Sequence, residues 1–95
     1  MHWLLQYELV DDYLERRAPL RSEHLGLASA ARDRGELFFA GALAEPADRA
    51  LLVFTDPQAA EAFAVNDPYV RDGLVDSWQV RPWNIVVGPG IDPPT

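Results

Sequence analysis

The chain predicts an α+β domain of the ferredoxin-like βαββαβ kind, a four-stranded antiparallel sheet with both helices on one face. Three observations point there. Strand-like apolar runs, most of them alternating, occupy residues 3–10, 36–41, 50–54 and 76–87. Helical patterns with proline-marked starts separate the first run from the second and the third from the fourth. The length, 95 residues, suits one domain.

In residues 3–10, Leu5, Tyr7 and Leu9 fall on one face and Leu4, Gln6 and Glu8 on the other. The second face is mixed, which suits a pocket wall as well as bulk water. Asp11-Asp12 end the strand and can cap a helical turn over 13–17. Pro19 interrupts that turn and fits the first position of a new helix, which runs to Arg34 and stops at Gly35. Leu20, His24, Leu27, Ala28 and Ala31 share one face of this helix.

The second strand, 36–41, has Leu37, Phe38 and Phe39 as its core, and 42–48 form a loop around Pro46. The third, 50–54, is apolar almost throughout, the pattern of a strand covered on both faces. Asp56 as N-cap and Pro57 behind it start the second helix, 58–65, which turns Ala59, Ala60 and Phe63 inward. Asn66-Asp67-Pro68 repeats the device before a short helical piece, 69–71, stopped near Gly73. In the last strand Trp78, Val80 and Pro82 share one face, and Gln79, Arg81 and Trp83 share the other. Pro82 cannot donate to a ladder, so that half lies at an edge or a bulge. Residues 1–87 make the domain. Residues 88–95, with three prolines and two glycines, read as a mobile tail.

An apolar share of 48% is high for so short a chain. The sheet face away from the helices would carry large side chains such as the tryptophans. At roughly 25 cal/mol per Å² of apolar area, covering it contributes several kcal/mol. A homodimer with its two sheets face to face is therefore expected. The net charge of −7 argues against nucleic acid and against an anionic membrane surface. With no cysteine, disulfides, thiolate nucleophiles and Cys-ligated metals are excluded. All eight basic residues are arginine, which excludes Schiff-base chemistry on lysine. His2 and His24 lie far apart in the chain, so neither a metal site nor another cofactor is expected. The N-terminus has no basic region before its apolar residues, and no run is long enough to span a membrane. A cytoplasmic location is expected by default, and the Ala-, Arg- and Pro-rich composition suits a bacterial genome rich in G and C.

His24 points inward from its helix. It is either a core histidine bonded to a backbone carbonyl or a proton-transfer group. Asp67 is either an N-cap, like Asp56, or the partner that orients an imidazole. Arg21 lies about one turn before His24. It can bind an anionic substrate group or pair with surface carboxylates such as Glu23 or Asp33. Tyr69 can offer its hydroxyl to a substrate or pack over a dimer cleft. Ser22 and Ser29 lack a nucleophile-elbow pattern.

Taken in order, Arg21-Ser22-Glu23-His24-Leu25, Gly35-Glu36-Leu37 leading to Ala40-Gly41, Phe63 ahead of Asp67-Pro68-Tyr69 with Gly73, and Val80-Arg81-Pro82-Trp83 resemble the YCII-related (YciI-like) family over about residues 3–87. The resemblance implies a dimeric α+β barrel and a His–Asp active-site pair on His24 and Asp67. It also implies a small-molecule enzyme of hydrolase- or lyase-like character, without naming a substrate. Arg21 and Tyr69 would then position the substrate. The chain departs from the family pattern at Ala42, where proline is frequent, and in the short loop 42–49, which lacks a glycine-rich stretch. Two other functions share the pocket: a non-catalytic dimeric small-ligand binding protein, and, by fold analogy alone, a cofactor-free oxygenase.

Overall fold

The computed structural model describes residues 1–94. Its elements follow in the order β1 (His2–Leu9), α1 (Tyr13–Arg16), a 3-10 turn (Ala18–Leu20), α2 (Arg21–Asp33), β2 (Leu37–Ala42), β3 (Arg49–Phe54), α3 (Pro57–Asn66), α4 (Pro68–Arg71) and β4 (Val75–Trp83). The sheet runs β2-β3-β1-β4, and every neighbouring pair is antiparallel. β3 therefore lies between β1 and β2, and β1 between β3 and β4, as the ferredoxin-like order requires.

The register fixes which side chains meet the helices. Leu5 is level with Leu52 and Val80, and Tyr7 with Ala50 and Trp78. Leu5, Tyr7, Leu52 and Phe54 are fully or almost fully buried, with Ala31, Ala60, Phe63 and Ala64 packed against them from α2 and α3. Each aliphatic or aromatic side chain buried this way contributes about 1.5–3 kcal/mol. The alternate residues, Leu4, Gln6, Glu8, Leu51, Val53 and Trp83, face away from the helices.

The helix ends follow local chemistry. Asp56 accepts from the Gln58 backbone N–H at 2.9 Å with Pro57 behind it, as expected. Asp12, expected as a cap, makes no such bond and lies 3.7 Å from Arg16 instead. Pro19 sits in the 3-10 turn rather than opening the helix, and α2 starts at Arg21. α2 closes at Gly35, whose φ of 79° is left-handed. The Gly35 and Glu36 amides bond back to Arg32 and Ala31 at 2.9 Å, a pairing that favours glycine at this position. The same device after α4 uses Gly73, and the Leu74 amide returns to the Tyr69 carbonyl at 2.9 Å.

Three expectations about the sheet change. Phe39 does not join the core. A register shift between Leu37 and Phe39 leaves Phe38 as the extra residue and turns Phe39 out, 57% exposed, with its ring stacked on Phe38 at 4.8 Å. β4 stops at Trp83 because Trp83 already pairs with His2, the first residue of β1. Only Trp83 of the three tryptophans lies on the open sheet face. Trp3 is level with Phe54 and Trp78 with Tyr7, so both point to the helix side. Beyond β4, Gly88 and Ile91 pair in a tight turn, and Thr95, the last residue of the expected tail, lies outside the described residues.

Candidate active site

The space between α2 and the sheet is set by small side chains. Ala28 on α2, Ala40, Gly41 and Ala42 on β2, and Ala50 on β3 border a cavity of about 200 Å³. It lies on the Tyr7 and Leu9 face of β1, not on the mixed Leu4, Gln6 and Glu8 face. His24 enters it from α2, with its side chain 15% exposed.

Asp67 ends α3 and caps α4, and it is fully buried. Its Oδ1 accepts from the Tyr69 backbone N–H at 3.0 Å, so it is the N-cap the local sequence suggests. The same oxygen lies 2.9 Å from His24 Nδ1. Oδ2 accepts from the Tyr7 hydroxyl at 2.8 Å. Cap and imidazole partner, alternatives in the sequence, are one carboxylate in the fold. A buried carboxylate is costly unless its lone pairs are used, and here three donors converge on it. An ionised carboxylate can only accept, so Nδ1 carries the proton and Nε2 is left facing the cavity.

The ring plane of His24 is fixed as well as its bond. Tyr69 stacks on it at 3.9 Å and 8°, and Phe63 meets it edge-on at 6.0 Å. Tyr13 packs edge-on against Tyr69 at 5.7 Å, and the Arg17 guanidinium lies over the Tyr13 ring at 5.3 Å. An imidazole held by a carboxylate and a stacked ring is prearranged for proton transfer at Nε2.

Arg21 borders the cavity and forms no ion pair among the described residues. The carboxylates expected to hold it are engaged elsewhere, Glu23 with Arg71 at 2.6 Å and Asp33 with Arg32 at 3.1 Å. Tyr69, 1% exposed, has a hydroxyl with no partner among the described residues. Ser22 and Ser29 are exposed on α2. Among the described residues no group of three or more His, Cys, Asp or Glu side chains is placed to hold a metal ion. No helix there is long and apolar enough to cross a membrane.

Sequence reasoning passed over Tyr7, Tyr13 and Arg17. Tyr7 looked like one more core residue. The available signal was its hydroxyl, which at a buried strand position needs a partner. Burial raises the Tyr7 pKa far above its ordinary 10.0, and the Asp67 charge and hydrogen bond push it the same way. The phenol is therefore a donor throughout the physiological range. A raised folded pKa stabilises the protein fully below the unfolded value. That stability is lost as pH climbs above it, because only the unfolded phenol then ionises. Denaturant midpoints measured from about pH 9 to about pH 11 should hold steady and then fall. Tyr7→Phe should be less stable at neutral pH by about 1–3 kcal/mol, since one donor to a buried carboxylate is lost. It should also show a shallower alkaline fall. An unchanged alkaline limb in the variant would remove Tyr7 from this role.

A family model describing the YCII-related domain matches residues 1–84. No curated protein matches the chain in sequence. In three dimensions the chain is similar to the 5-chloro-2-hydroxyhydroquinone dehydrochlorinase of Burkholderia phenoliruptrix AC1100, solved in complex with 2,5-dihydroxybenzoquinone. The TM-score is 0.71 over 88% of this chain and 94% of that one, at 17% identity. At that identity the likeness speaks for the fold.

Proposed function

We propose that this chain, which belongs to the YCII-related domain family, is a small-molecule enzyme that moves protons at the His24–Asp67 pair, in a lyase- or hydrolase-like reaction. The observation that carries the proposal is the 2.9 Å bond from His24 Nδ1 to a fully buried, three-donor Asp67 carboxylate beside a cavity. A histidine serving packing alone has no need of a buried charge.

In this reading neutral Nε2 takes a proton from the bound molecule, or from a water attacking it. The electron pair so freed forms the new bond and expels the leaving group. The resulting imidazolium, stabilised by the adjacent carboxylate, returns its proton to the leaving group or to solvent. Arg21 and Tyr69, at the rim and wall of the cavity, position the substrate. The similar dehydrochlorinase, named for an elimination, supports the lyase-like form of the reaction. Ligand screening by thermal shift, followed by turnover assays of the hits, tests the proposal, because a ligand that binds the native state raises its melting temperature whatever the chemistry. Hits turned over equally well by wild type and His24→Ala would end it.

We further propose a homodimer through the open sheet face. Leu51 from β3, Phe39 from β2 and Trp83 from β4 lie on that side around the buried Val53, and Phe39 and Trp83 are 57% and 45% exposed. Unpaired apolar area of this kind favours a partner. Sedimentation of the wild type should give twice the chain mass of 10.6 kDa. Leu51→Asp, at the middle of that face, should give the single-chain mass with unchanged helix content. A wild type that sediments as a single chain at all concentrations would remove this proposal.

A further inference from the structure

The eight arginines divide into two groups. Arg16, Arg32, Arg34, Arg49 and Arg71 each lie within ion-pair distance of a carboxylate. Arg17, Arg21 and Arg81 form no such pair among the described residues, although the net charge is −7 and acids are in excess. Arg81 lies on the open sheet face, level with Leu4. The other two border the same cavity as His24.

Among the described residues, no acidic side chain lines that cavity. A second, wider hollow of about 580 Å³ shares Leu9, Arg17 and Ala42 with it and carries Asp11, Glu45 and Asp48. The sign of the lining thus changes from acidic outside to cationic inside. Both inner cations border the cavity that Tyr69 also lines. Burial, and then Tyr13, raise the pKa of the Tyr69 hydroxyl, while the Arg21 and Arg17 charges beside it act the other way. This hydroxyl belongs to a residue 1% exposed and has no hydrogen-bond partner among the described residues. A buried hydroxyl without a partner, in a cavity bordered by two guanidiniums that form no ion pair, is a donor set lacking its acceptor. Arg17 is also held in place by its stack on Tyr13, which lowers the ordering cost of binding.

We propose that the inner cavity binds a small carboxylate-bearing molecule, its carboxylate held by Arg17, Arg21 and the Tyr69 hydroxyl and its apolar body against Leu9, Leu25 and Leu52. A carboxylate presents two oxygens with about four acceptor sites, which planar guanidiniums and a phenol donor can fill together. A water occupies about 30 Å³ of liquid, so a space of about 200 Å³ takes a compound with the bulk of about seven waters. A ring or short chain bearing one carboxylate has that size. The inference rests on reading this cavity as the active site, and it names the substrate class for that reading.

Calorimetry with benzoate, benzamide and phenol as probes tests it. Benzoate should bind at least about tenfold more tightly than benzamide or phenol, the margin of one hydrogen bond to a charged group. Arg17→Gln and Arg21→Gln should each weaken benzoate about tenfold, with Arg21→Lys recovering part of the loss. Arg81→Gln should bind as wild type does. Arg21 is exposed on its helix, so its variant reports even if Arg17→Gln folds poorly. His24→Ala should still bind benzoate, so failed binding and failed turnover remain separate results. The proposal is overturned by benzoate that does not bind, by benzamide or phenol matching it, or by benzoate affinity unchanged in both glutamine variants.

Discussion

His24→Ala is expected to lower turnover by about 10²–10⁴-fold, the range a positioned proton-transfer group supplies, while the chain stays folded. The structure explains why the two effects separate. His24 sits within α2, where alanine is the best helix former. Its side chain is 15% exposed and borders a cavity, so truncation enlarges a space that already exists. Asp67 keeps two of its three donors, the Tyr69 amide and the Tyr7 hydroxyl, so its charge is not left bare. What is lost is the bond at Oδ1 and the stack on Tyr69, together about 1–2 kcal/mol. Steady-state rates and near-ultraviolet circular dichroism on the same preparation check both halves. A variant with wild-type rates removes the proton-transfer role, and a variant that does not fold shows that the histidine is structural.

The fold was legible in the sequence wherever a local signal decided the outcome. Asp56-Pro57, Asn66-Asp67-Pro68 and Gly35 mark helix ends through their own backbone preferences, and the structure uses all three. The failures lie where a neighbouring strand decides. Phe39 alternates correctly along its own segment, but a shift in the β2–β3 register, invisible locally, turns it to the open face. The end of β4 is set by the start of β1, because Trp83 pairs with His2 at the other end of the chain. The site divides in the same way. The helix face that aims His24 inward is written in the 3.6-residue spacing, and the cap role of Asp67 in the proline that follows it. That both meet at one carboxylate depends on α3 and α4 packing beside α2, a long-range fact that only the family resemblance supplied. Tyr7, Tyr13 and Arg17 had no such help, because a tyrosine in an apolar strand and an arginine in a short helix look ordinary one at a time.

Replacing Asp67 should have the largest effect on the molecule, and two variants divide that effect into its parts. In Asp67→Ala, α4 loses its N-cap, at about 1 kcal/mol. The buried Tyr7 hydroxyl loses its acceptor, at about 1–3 kcal/mol. His24 loses the bond that fixes its ring, so the total loss is roughly 3–5 kcal/mol. Domains of this size have about 5–15 kcal/mol in all, and each kcal/mol shifts the melting temperature by about 4–8 °C. Asp67→Ala should therefore melt tens of degrees lower. Asp67→Asn keeps the shape. Its amide oxygen can still accept from Tyr69, and its NH₂ can donate to a Tyr7 hydroxyl that rotates to receive it. Stability should fall by only about 1–2 kcal/mol, but the charge that holds the ring's tautomer and steadies the imidazolium is gone. Turnover should then drop about as far as in His24→Ala, with KM little changed, since no part of Asp67 lines the cavity. Loss of stability in both variants with rates intact would make Asp67 a cap and nothing more. A folded asparagine variant with lost rate would make its charge the part that acts through His24.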